Sequence, residues 1–225
     1  ALLRRKFGLG FDRAAMVPMF RAATPFAISL VLALIYERVD VTIVAQFLGS
    51  EQAGIYGPAS TITTTLFLVP LAAYSVMVPV FTRAHAADDR AFGQTLRLFV
   101  AVNTAMGAAL AGGLALSANW IVHQLYGEQY AAAGPVLAIL SLVLGLRCVT
   151  FALAAAVVAT GQQTRRLYVQ GVAAALSVFV NLAIVNAFGV RGVAWVYVLT
   201  ETVILVGYWL LIGPTRLRLP RRAAP

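Results

Sequence analysis

An all-α membrane protein, built as a bundle of six transmembrane helices, is the fold class this sequence predicts, and three observations predict it. The 225 residues are 61% hydrophobic and only 11% charged, with a mean hydropathy of +0.86, where a soluble domain would carry about 25% charged residues. The apolar residues fall in runs of roughly 20 or more, the length that crosses about 30 Å of hydrocarbon. The net charge of +9 comes from 16 Arg and one Lys that sit between the apolar runs, which fits membrane topology and argues against a nucleic-acid-binding face.

The elements follow from local punctuation. Helices are expected at about 22–48, 54–82, 98–118, 131–159, 167–187 and 192–213, separated by the polar or Gly-containing breaks GSEQAG, YGEQY, TGQQTRR and FGVRG. Pro25 and Pro135 fall near helix starts, where a missing N–H does no harm. The second span, of about 29 residues, would run about 43 Å at 1.5 Å per residue, so it must tilt, bend or project. Pro70 and Pro79 inside it would supply the bend. The third span carries Ala105, Ala109 and Gly113, a small-residue stripe suited to close helix packing. Trp120, Tyr126 and Tyr130 form an interfacial belt.

Charge then assigns the sides. Residues 1–21 form a basic segment with Arg4, Arg5, Lys6, Arg13 and Arg21, and residues 215–225 form a basic tail with Arg216, Arg218, Arg221 and Arg222. Arg83, Arg90, Arg97, Arg165 and Arg166 lie on the same side, fourteen in all against Arg191 alone on the other. The positive-inside rule therefore expects both ends of this chain in the cytoplasm. No initiator Met opens the chain, and ALLRRKF lacks the apolar stretch and small-residue cleavage site of a signal peptide, so a longer protein is expected.

Five charges lie within the spans. Glu37, Arg38 and Asp40 sit mid-way along the first, Arg147 near the middle of the fourth, and Glu201 in the sixth. Each costs roughly 2.5–3.5 kcal/mol at a helix centre on insertion scales, so such groups face a bundle interior or a wet cavity. Glu37 and Asp40 share a helix face, while Arg38 points about 100° away from Glu37. Two readings stand: a polar cavity holding a charged substrate or coupling ion, or a salt-bridge network that locks helices together. The hydroxyls of STITTT, residues 60–65, are expected to bond back to their own carbonyls. Asn103, Asn181 and Asn186 would line the same cavity or bond across helices.

Chemistry of the soluble kind is missing, so no enzyme and no cofactor is expected. GLGFDR has no third glycine and no preceding strand, and there is neither a P-loop nor a nucleophile elbow. His85 and His123 stand far apart with no metal-ligand spacing around either. The lone Cys148 lies in an apolar run and reads as a packing residue.

Four stretches carry a family likeness: TPFAISLVLALIYERVDVTIVAQFLGSEQAGIYGPASTI (24–62), FLVPLAAYSVMVPVFTRAHAADD (67–89), LYGEQYAAAGPVLAIL (125–140) and GQQTRRLYVQGVAAALSVFVNLAIVNAFGVRGVAWVYVLTETV (161–203). Their ordered set resembles the polysaccharide and O-antigen flippases of the multidrug/oligosaccharidyl-lipid/polysaccharide exporter superfamily. The likeness covers nearly the whole chain and matches the C-terminal half of a twelve-helix protein. It implies a V-shaped transporter of two six-helix halves in the bacterial cytoplasmic (inner) membrane. It also implies alternating access and a polyprenyl-diphosphate-linked oligosaccharide as cargo for cell-surface polysaccharide export. Two in-to-in halves would be parallel repeats.

On that likeness Arg38 would attract the anionic headgroup, with Arg147 joining it on position alone. Glu37, Asp40 and Glu201 would compensate these charges or bind H⁺ or Na⁺, and the chain would rock against its own missing N-terminal six-helix half. A lipid II flippase and a cation-coupled multidrug antiporter of the same superfamily remain alternatives. So does a membrane scaffold subunit of a polysaccharide-synthesis complex.

Overall fold

The backbone of residues 13–213 is described by a computed structural model, without side chains at 13–19, 21 and 22. Residues 1–12 of the basic segment and the basic tail at 215–225 lie outside the described residues. Every regular element among the described residues is helical: α1 (Arg13–Leu66), α2 (Leu68–Ala87), α3 (Asp89–Tyr126), a 3₁₀ turn (Glu128–Tyr130), α4 (Ala133–Ala159) and α5 (Gln163–Ile212). Four continuous helical stretches are long and apolar enough to cross a membrane. The protein is an all-α membrane protein.

Two of these helices break at a glycine and double back. Gly49 in α1 has φ 82°, ψ 178°, and Gly189 in α5 has φ 59°, ψ −155°. Side chains rarely tolerate either conformation, and glycine takes both at little cost. The reversal is proved by contacts that a straight helix forbids. The Tyr56 hydroxyl donates to Asp40 Oδ2 at 2.5 Å, although sixteen positions along one helix span about 24 Å. Arg166 Nε donates to the Tyr208 hydroxyl at 3.0 Å, across a helical distance of about 63 Å. Each helix is thus a hairpin, with limbs at residues 13–48 and 50–66 in α1 and at 163–188 and 190–212 in α5.

A third break falls at Phe67. Pro70 has no N–H to offer Leu66, so the ladder lapses there and resumes with Leu71 N–H donating to Phe67 O at 3.0 Å. Pro79 lies inside α2, and the helix runs on through it. The threonines just before the break bond back to their own turn, Thr63 to Ala59 O at 2.9 Å and Thr65 to Thr61 O at 2.8 Å.

The helix α3 is much longer than the apolar run at 98–118 that announces it. Asp88 caps it, its side chain accepting from Ala91 N–H at 2.6 Å. Its first turns also bury Phe92 and Leu96, with Phe92 against Phe81 at 5.7 Å between ring centroids. Apolar partners on α2 therefore carry the helix past the run's polar edge.

At the centre lies α4, which packs against all four other helices. Most of its residues are buried and apolar, with Leu142 exposed on its outer side. Its closest neighbour is α3, and the contact is made by glycines. A Cβ on Gly107 would lie 2.6 Å from Gly145 O. Here the structure corrects the expected stripe: Ala105, Ala109 and Gly113 are exposed, and nothing lies within 4 Å of where a Gly113 Cβ would stand. The packing face is instead Asn103, Gly107, Leu114 and Ala118. Spacing alone marks two faces of one helix as small, and only the partner decides which is used.

Gly107→Val should destabilise the protein by about 1–3 kcal/mol, since the added atoms meet backbone. Gly113→Ala should be neutral or stabilising by about 0.5–1 kcal/mol. Melting temperatures in detergent separate the two. Tyr56→Phe leaves the buried Asp40 carboxylate one hydrogen bond short and should cost about 1–3 kcal/mol in the same assay.

Candidate functional site

The α1 and α5 hairpins bring charges from three helices to the bundle centre. Arg147, only 2% exposed, projects from α4 between two carboxylates. Its Nη1 lies 2.6 Å from Glu37 Oε1 on α1, and its Nη2 lies 3.0 Å from Glu201 Oε2 on the second limb of α5. Nη1 also donates to the Tyr36 hydroxyl at 3.4 Å, and Nη2 to the Tyr197 hydroxyl at 3.3 Å. The guanidinium sits 4.5 Å from the Phe67 ring centroid and 5.5 Å from that of Tyr36. Such rings favour a desolvated cation over their faces.

The balance of this cluster is one positive charge against two negative. Glu201 is wholly buried, with Oε2 against the Arg147 guanidinium and Thr150 beside its carboxylate. Glu37 is 26% exposed at its side chain. One carboxylate is therefore sealed in and the other reaches the surface of the bundle. A buried cation with one partner removed strands the other, which costs about 3–5 kcal/mol.

The remaining charges from the sequence lie elsewhere. Asp40, 1% exposed, makes no salt bridge among the described residues and is held inside its hairpin by Tyr56 and by Val41 N–H at 2.8 Å. Arg38 is exposed and makes no salt bridge among the described residues. The structure thus brings together Arg147, Glu37 and Glu201, leaves Asp40 to a hydroxyl, and turns Arg38 outward. Asn103 is buried and donates to Phe99 O at 2.8 Å. Asn186 is exposed.

Four partners of Arg147 escaped the sequence reading: Tyr36, Tyr197, Phe67 and Phe151, whose ring centroid lies 5.9 Å from the guanidinium. Tyr197 had a signal, since it precedes Glu201 by four residues and must share its face. Tyr36 adjoins Glu37. Phe67 had none, because its place over the guanidinium depends on the break made by Pro70.

The family model described as "Polysaccharide biosynthesis protein" matches residues 1–135. The chain is 25% identical over 224 residues to the teichuronic acid biosynthesis protein TuaB of Bacillus subtilis (strain 168), covering 97% of this chain and 46% of that protein. It therefore spans a little under half the length of the curated relative it matches. No solved structure matches the chain. A match over more than half the residues, on an all-helical apolar frame with a charged centre, settles the grouping: the chain belongs to the polysaccharide biosynthesis protein family.

Proposed function

We propose that this chain is one half of a flippase that carries a polyprenyl-diphosphate-linked oligosaccharide across the bacterial cytoplasmic membrane by alternating access. The observation that carries the reading is Arg38, an exposed arginine on the helix whose Glu37 pairs with the buried Arg147. Within hydrocarbon a cation left without a partner is expensive, and an anionic headgroup is the partner a lipid-linked glycan supplies. Family membership supports the cargo class.

Counted by limbs, with the limb at 50–66 and α2 together making one crossing, the hairpins α1 and α5 give six crossings with α3 and α4. The basic residues then gather at one face, so both ends of the chain lie on the cytoplasmic side. The relative's length leaves room for a second set of helices, and that missing half would close the cavity opposite Arg38. Arg147 acts differently from Arg38 in this scheme. Held by Glu37 and Glu201, it clamps α1, α4 and α5 together, and the surplus carboxylate binds a coupling ion. The lapse at Phe67 lets the limb at 50–66 and α2 move apart as the halves rock.

Arg38→Ala should reduce surface glycan at least tenfold in a complemented deletion strain while leaving the melting temperature unchanged. Arg38→Lys should retain part of the activity, because charge survives and the two-pronged donor does not. Arg147→Ala should lose both activity and about 3–5 kcal/mol of stability. Normal glycan export by Arg38→Ala would sink the proposal and favour a scaffold role.

A further inference from the structure

The first limb of α5 carries a polar line that the transport scheme does not use. Gln163, Arg166, Gln170, Ser177 and Asn181 recur at helical spacing on one face, and all but Arg166 are buried. Several of their polar atoms have no protein partner: both amide atoms of Gln163, Gln170 Nε2 and Asn181 Oδ1. Native interiors leave few such atoms unpaired, and internal water is their usual partner.

Neighbouring helices extend the line. Ser29 on α1 donates to Gln170 Oε1 at 2.6 Å, and Tyr208 on the second limb accepts from Arg166. Tyr36, seven residues beyond Ser29, reaches Arg147. The antiparallel register set by Arg166 and Tyr208 puts Glu201 within about a turn of Ser177. From Gln163 to Ser177 is about 21 Å along the helix, so polar groups recur every one to two turns from the basic end to the charged cluster.

We propose that these side chains line a narrow hydrated path from the basic end of the bundle to Glu201, and that Glu201 takes up one proton delivered along it. The proton leaves water at the basic end and comes to rest on the wholly buried Glu201 carboxylate. The cluster then passes from a net charge of −1 to neutral, with Arg147 and Glu37 still paired. The groups that face Glu201 are Arg147, Cys148 and Thr150 from α4, Tyr36 and Glu37 from α1, and Tyr197 and Tyr208 on its own helix. Arg147 is the cation among them and already stands between the two carboxylates. A sodium ion would have to displace it and find several oxygens, whereas a proton needs one. The coupling purpose rests on the transport reading above; the path does not.

One native cysteine, Cys148, makes the test simple. In a Cys148→Ala background, Gln170→Cys and Ser177→Cys are exposed to aminoethyl methanethiosulfonate in inside-out membrane vesicles, beside Ala154→Cys, whose parent is buried among apolar neighbours. Modification of the first two at least tenfold faster than the third is expected, and equal rates would overturn the path. Surface glycan export against pH should lose its slope in Glu201→Gln, and an unaltered slope would overturn the proton acceptor. Fast labelling in variants of a protein whose Arg38→Ala form still exports would count against the transport reading and leave the path standing.

Discussion

A single guanidinium, that of Arg147, holds the centre of this bundle, and the placement of three helices depends on it. In hydrocarbon a charge that lacks partners is untenable, so wherever α4 puts Arg147, carboxylates from α1 and α5 must follow. The distances of 2.6 Å to Glu37 and 3.0 Å to Glu201 are the result. Most of the surrounding packing is apolar, and close fitting of glycines such as Gly107 and Gly145 does not by itself select one rotation of a helix over another. The ion pairs do, because turning α1 or α5 by one residue would strand a charge.

The polar groups divide into those that act between helices and those that stay inside one hairpin. Asp40 and Tyr56 are satisfied within α1, and Arg166 with Tyr208 within α5. Arg147 joins three different elements through charge. Arg38 is exposed on the same helix that supplies Glu37.

Much of the helical frame was legible because apolar length and glycine breaks are local signals. The reversals at Gly49 and Gly189 fall within GSEQAG and FGVRG, where polarity and glycine coincide. The extent of α3 was not legible, because Phe92 and Leu96 gain their burial from α2. Its packing face was misread for the same reason: Ala105 and Gly107 are equally small, and only Gly145 on another helix distinguishes them. The five intramembrane charges could be named from sequence, but not their pairing, since partners 110 residues apart, as Arg147 and Glu37 are, leave no mark in either segment.

The hairpins also bear on how such a chain enters a bilayer during synthesis. A lone limb bearing Asp40 would meet the lipid with a bare carboxylate. Its hydrogen-bonding partner, Tyr56, lies sixteen residues further along the chain on the returning limb, so the two limbs become easier to insert as a pair than one after the other. The glycine between them is then more than a bend, because it sets the unit in which the polypeptide is handed from the ribosome to the membrane.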